Sequence, residues 1–140
     1  MSISRRALCF GLGLSLFAAG AALTVGASDE IRMKTRLSGG EISGLVPSGS
    51  AEYRAKGSER RFRVEVEDVN LAPGTDLTVF VGTDAVGHMR VGPPPLRESE
   101  LELESRQGDT IPAIVKGTIV TVATTATATV PSTPIVSGVF

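Results

Sequence analysis

The feature that most constrains the fold is a strict alternation of apolar and charged residues in two segments. In the first, RRFRVEVED at 60–68, Phe62, Val64 and Val66 alternate with charged residues. In the second, SELELES at 99–105, Leu101 and Leu103 lie between glutamates. Successive side chains of a β-strand point to opposite faces. Each segment therefore predicts a strand with one apolar face and one charged face.

The sequence after residue 27 predicts further strands separated by turn residues. Pro73-Gly74 and the PPP run at 93–95 interrupt the alternating pattern, and Gly57 is free to take a positive φ between two strands. Further strands are predicted at 31–37, 50–55, 76–81, 86–91, 117–124 and 133–140. Seven or eight short strands with no helical periodicity predict an all-β fold, an antiparallel β-sandwich or a small barrel.

The N-terminal 27 residues differ in kind from the rest. Arg5 and Arg6 precede a run from Ala7 to Ala27 that has no charged residue and is rich in Gly, Ala and Ser. A basic start, an apolar run and a small residue at its end are typical of a secretory signal peptide. The run is also long enough to approach a membrane span, so an uncleaved anchor is the alternative. We therefore predict an exported protein, periplasmic or extracellular, with residues 1–27 as the signal peptide and 28–140 as one domain.

Cleavage after Ala27 would change the chemistry available to the chain. It would remove Cys9, the only cysteine, which excludes a disulfide, a Cys-ligated metal site and a thiol nucleophile. It would leave twelve basic and fifteen acidic residues. This acidic balance, with no basic segment interleaved with aromatic residues, argues against nucleic-acid binding. No membrane span is expected after cleavage.

Four segments together resemble a known group of proteins. They are LSGGEISGL-PSGSAEYR, RRFRVEVEDVNLAPGTDLTVFV, ELELESRQGDTIP and IVSGVF. In this order they are similar to a group of small exported bacterial β-domains with a signal peptide, an AEYR strand, a VEVEDV strand and a closing SGxF. VGPPPLRES departs from that pattern, where a tight Gly turn is expected. The resemblance implies a fold and a compartment, and it implies no catalytic motif and no activity.

The sharpest cluster of charge is the acidic row, which we define as Glu100, Glu102 and Glu104. Residues two apart share one strand face, so their carboxylates are predicted about 7 Å apart. One interpretation is a binding site for a basic partner or a divalent cation. However, calcium requires six to eight oxygens that converge on one point, and a flat row diverges. The other interpretation is a solvated face whose charges pair with Arg61, Arg63 or Arg54 on a neighbouring strand.

His88 is the only histidine and the centre of the alternative function, a small hydrolase or metal-dependent enzyme that uses loop acids. That hypothesis requires Asp84, His88 and either Asp109 or Glu98 to converge. No spacing typical of metal ligands and no nucleophile elbow accompanies this histidine. The sequence therefore favours a non-catalytic exported β-domain without a cofactor. Its role would be structural or would be binding, with an envelope or extracellular protein as the expected partner.

Overall fold

The computed structural model describes residues 29–140. It contains eight β-strands and one short 3₁₀ helix, Ser105–Gln107. The strands are β1 Glu30–Ser38, β2 Ser48–Lys56, β3 Glu59–Glu67, β4 Asp76–Val81, β5 Asp84–Arg90, β6 Ser99–Glu104, β7 Ile119–Thr124 and β8 Pro134–Val139. The predicted signal peptide lies outside the described residues, in which no helix is long and apolar enough to cross a membrane.

All eight strands belong to one sheet in the order β5-β4-β7-β8-β1-β2-β3-β6, and every pairing is antiparallel. The sheet curls into a nearly closed barrel, so the predicted all-β antiparallel class is confirmed in its barrel form. The two alternating segments lie side by side as β3 and β6, with Val64 opposite Leu101 and Phe62 opposite Leu103.

The inward faces of the strands supply one core. Phe62, Val64 and Val66 of β3 are fully buried, as are Leu77 and Val79 of β4. The hairpin between β2 and β3 turns at Gly57, which has a φ of 59°, as the sequence predicts. Burying one face of a strand holds its pairing register, because a slip by one residue would turn the apolar side chains to water. The core therefore determines which charged residues lie next to each other outside.

The seam between the edge strands β5 and β6 is closed without a ladder of strand hydrogen bonds. Ser99 Oγ donates to the backbone oxygen of Arg90 at 2.7 Å, and the Gly92 nitrogen donates to the Glu98 oxygen at 3.0 Å. Leu101 packs over Gly87, where a Cβ atom would lie 2.7 Å from the leucine Cδ2. Side-chain contacts and one backbone hydrogen bond thus complete the barrel where the strand ladder stops.

Candidate binding face

The outward side chains of β1, β2, β3 and β6 form a continuous charged face. Each of these strands alternates an apolar inward residue with a charged or polar outward one, so the charges gather on one side of the barrel. β1 and β2 carry five basic residues and two acidic ones: Arg32, Lys34, Arg36, Arg54, Lys56, Glu30 and Glu52. β6 carries the acidic row. The face is therefore basic at one side, acidic at the other and mixed in the middle, on β3.

The acidic row is paired with arginines of β3. Glu100 lies 2.9 Å from the Nε of Arg63, and Glu102 lies 2.6 Å from an Nη of Arg61. Glu104 is 3.3 Å from the Nε of Arg61. The predicted pairing with Arg61 and Arg63 is confirmed, whereas Arg54 pairs with Glu52 of its own strand. Each glutamate of the row directs Oε1 at an arginine, which leaves Oε2 of Glu100 and Glu102 without a partner among the described residues.

Strand register also places three arginines side by side. Arg32 lies opposite Arg54 in the β1–β2 ladder, and Arg54 lies opposite Arg61 in the β2–β3 ladder. We call these residues the arginine row. Since neighbouring strands are about 4.8 Å apart, the row extends about 10 Å across the sheet. Like charges directly opposite each other destabilise a sheet, so this arrangement is unfavourable unless acids compensate it.

Diagonal and same-strand glutamates compensate the arginine row. Arg32 pairs with Glu30 at 2.7 Å and Arg54 with Glu52 at 2.6 Å, each two residues away on the same strand. The hydrogen bond with Arg32 holds the pKa of Glu30 below its ordinary value, and that with Arg54 does the same for Glu52. The hydrogen bond with Glu100 raises the pKa of Arg63 above its ordinary value. Exposed pairs of this kind contribute little to stability, because water and salt screen the charges.

A concavity of about 230 Å³ lies at one end of the charged face. We call it the basic trough. Every side chain that lines it is charged; the basic ones are Arg54, Lys56, Arg60, Arg61 and Arg106, and the acidic ones are Glu30, Glu59 and Glu104. A smaller depression of about 80 Å³, lined by Glu52, Arg54, Arg61 and Arg63, continues it along the sheet. Lys56 and Arg60 form no ion pair with any described residue.

The structure does not bring together the residues of the hydrolase hypothesis. His88 lies on β5 with its Nδ1 3.2 Å from the Thr78 hydroxyl, beside Asp76 and Thr125. Asp84 is four residues away on the same strand, a separation of about 13 Å in an extended chain.

The loop acids of that hypothesis are engaged elsewhere. Asp84 and Asp109 line a separate depression with Val86 and Leu103, and Asp109 Oδ2 accepts a hydrogen bond of 2.9 Å from the Glu104 nitrogen. Glu98 is exposed, and its backbone oxygen accepts from Gly92. Within residues 29–140 no group of three His, Cys, Asp or Glu side chains is placed to hold a metal ion.

The sequence predicts the acidic row but not the arginine row or the basic trough. One of the two pairings in the arginine row is predictable, because the turn at Gly57 sets the β2–β3 register and so places Arg54 opposite Arg61. The position of Arg32 is not predictable, because it depends on how β1 pairs with β2 across a Gly-rich loop of nine residues, 39–47. Comparison with known proteins identifies no relative: no family model, no curated protein and no solved structure matches the chain.

Proposed function

We propose that the chain is an exported, non-catalytic β-barrel domain that binds a protein partner at the cell envelope or outside the cell. The observation that carries this proposal is the position of the acidic row on β6, an edge strand of the sheet. Glu100 and Glu102 are exposed, and each uses Oε1 for its arginine while Oε2 accepts no hydrogen bond from a described residue. A partner with basic side chains at strand spacing can therefore reach these oxygens without displacing Arg61 or Arg63.

Electrostatic complementarity across such a surface acts mainly on specificity and on the rate of association. The separation of charge on the face orients an approaching partner, with its basic side toward β6 and its acidic side toward β1 and β2. Because the internal pairs are exposed and weak, their rearrangement on binding costs little. The charged face is therefore suited to a protein partner of opposite polarity.

A cross-linked pull-down of the exported protein from its native envelope and medium tests the proposal. The wild-type chain is compared with a Glu100→Lys/Glu102→Lys variant, which reverses two charges of the acidic row. The matched control, Glu41→Lys/Asp84→Lys, makes the same change in net charge at two exposed acids outside the charged face. Circular dichroism and thermal unfolding establish that all three proteins are folded.

We expect one protein partner to be recovered with the wild-type chain and the control, and to be lost with the acidic-row variant. Equal recovery with both variants would place the binding site elsewhere on the barrel. If the folded wild-type chain recovered no partner, the binding role would be contradicted. The charged residues would then serve solubility and strand register alone.

A further inference from the structure

The basic trough collects like charges in a way that the ladder of a sheet normally avoids. Arg54 and Arg61 lie directly opposite each other at its centre, and Arg32 continues the row on the next strand. Lys56 and Arg60 add two cations that form no ion pair with a described residue, although Lys56 lies opposite Glu30 and Glu59 in the two ladders. This concentration occurs in a chain whose acidic residues outnumber its basic ones. The positive charge is thus local to the trough and opposite in sign to that of the protein as a whole.

From this arrangement we propose that the basic trough binds an anionic polysaccharide that carries sulfate or phosphate groups. A guanidinium group presents five N–H donors in a planar fork that matches such oxyanions. Arg54 gives one edge of its fork to Glu52, and Arg61 gives donors to Glu102 and Glu104. Both arginines line the concavity. A sulfate or phosphate group in the trough therefore meets two guanidinium groups from adjacent strands.

The shape and lining of the trough favour a polysaccharide over other polyanions. Single-stranded nucleic acids are held by aromatic side chains on which the bases stack, and every side chain that lines the trough is charged. Acidic peptides that add to a sheet use the backbone groups of an exposed edge. The trough lies instead on the face of β2 and β3, both of which are paired on both sides. Only side chains are available there, and clusters of Lys and Arg side chains are typical of sites for sulfated polysaccharides.

The glutamates that neutralise the arginines of the trough would compete with such a ligand. Glu104 lines the trough and lies 3.3 Å from Arg61, which also binds Glu102. Because exposed pairs are weak, a polysaccharide that carries several anionic groups can displace them. Removal of these carboxylates should therefore strengthen binding, which a purely structural role for the arginines would not produce.

The experiment measures binding of fluorescein-labelled dextran sulfate by anisotropy, with neutral dextran of the same length as the reference. The full exported chain is compared with Arg54→Gln/Arg61→Gln. Its matched control, Arg90→Gln/Lys116→Gln, removes two exposed cations outside the trough. A third variant, Glu102→Gln/Glu104→Gln, removes competing carboxylates. Thermal unfolding establishes that each variant is folded.

We expect dextran sulfate to bind and neutral dextran not to bind. The arginine variant should bind about tenfold more weakly for each arginine removed. The slope of log affinity against log salt concentration should also decrease by about one for each arginine removed. The control should bind within twofold of the wild type, and the glutamine variant should bind more tightly.

Three results would overturn the proposal. The first is no binding of dextran sulfate by the wild-type chain, and the second is equal loss in the arginine variant and its control. The third is tighter binding of a single-stranded DNA oligonucleotide or of polyglutamate with the same number of charges, which would identify a different class of polyanion. None of these results bears on a protein partner at the acidic row, because the pull-down tests that site with different variants.

Discussion

Ser99 and Arg90 join the two edges of the barrel, since the Ser99 hydroxyl donates a 2.7 Å hydrogen bond to the Arg90 backbone oxygen. Ser99 is the first residue of β6 and Arg90 the last of β5, so this bond lies where the open seam begins. The serine is 4% exposed and is one of two buried polar residues in the described chain. This bond explains the inward position of Ser99 on a strand whose other inward residues, Leu101 and Leu103, are leucines.

We expect Ser99→Ala to lower the free energy of unfolding by about 1 kcal/mol, because the Arg90 oxygen loses a buried donor. The seam should also open more often, which hydrogen exchange of the neighbouring Gly92 amide would report as faster exchange. Urea unfolding measures the first effect. The control is Ser137→Ala at an exposed serine of β8, where the change should stay within about 0.5 kcal/mol. Equal stability of the two variants would contradict the role of the bond.

Gly49 is held by the close approach of β3. A Cβ atom at this position would lie 2.2 Å from the Glu65 backbone oxygen, which cannot move without breaking the β2–β3 ladder. Gly49→Ala should therefore destabilise the protein by about 1–3 kcal/mol, measured by urea unfolding. Gly40→Ala is the matched control, because no atom lies within 4 Å of its Cβ position. It should be neutral or stabilising by up to about 1 kcal/mol, since alanine restricts the unfolded chain. If Gly40→Ala destabilised the protein more than Gly49→Ala, β2 and β3 would be further apart than described.

The Arg54–Glu52 pair makes the free energy of unfolding depend on pH in the acid range. The hydrogen bond from Arg54 lowers the pKa of Glu52 in the folded state. A lowered carboxyl pKa stabilises the fold above the unfolded pKa, about 4.3, and this contribution is lost as pH falls through the folded pKa.

We therefore expect Arg54→Gln to raise the Glu52 pKa toward its ordinary value and to reduce the loss of stability as the pH falls through roughly 5 to 3. An NMR titration of the glutamate side chains measures the pKa, and urea unfolding across that range measures the stability. Arg90→Gln removes an arginine that pairs with Asp76 and should leave the Glu52 pKa unchanged. A Glu52 pKa that does not change in Arg54→Gln would contradict the assigned cause.

The pair between Arg63 and Glu100 tests how much the acidic row contributes to stability. The atoms are 2.9 Å apart, and both side chains are nearly half exposed. A double-mutant cycle with Arg63→Gln and Glu100→Gln should give a small favourable coupling free energy, as for other exposed pairs. The coupling should fall in 1 M salt, because charges are then screened within about 3 Å. A large coupling free energy that salt does not change would mean that the row is primarily a structural element.

Much of the fold could be predicted because its signals are local. The predicted strand at 76–81 matches β4, and the predicted turns at Gly57 and Pro73-Gly74 are present, with positive φ angles at both glycines. The sequence predicts the next strand at 86–91, whereas β5 begins at Asp84, because the turn is confined to Gly82 and Thr83. Residues 106–116, for which the sequence predicts no strand, contribute the buried residues Ile111 and Ile114 to the core.

The candidate site is only partly predictable, because some of its features are local in the sequence and others depend on strand order. The acidic row is a local pattern, and its two-residue spacing is visible in the sequence. Arg61 and Arg63 can pair with the acidic row only if β6 lies beside β3 in the sheet. In the chain these two strands are separated by β4 and β5. The convergence of Asp84, His88 and either Asp109 or Glu98 is a hypothesis about contacts between separate segments. The barrel places His88 in one depression and Asp84 with Asp109 in another.

The amino-acid sequence by itself determined which side of each strand is charged, because side-chain direction alternates with a period of two along the backbone. It also determined that the described chain folds into short antiparallel strands, through alternation and turn residues. Only the tertiary structure decided which charged residues are neighbours. Strand order and register result from burying one continuous core, and this long-range packing placed Arg32, Arg54 and Arg61 in one row and Glu102 beside Arg61.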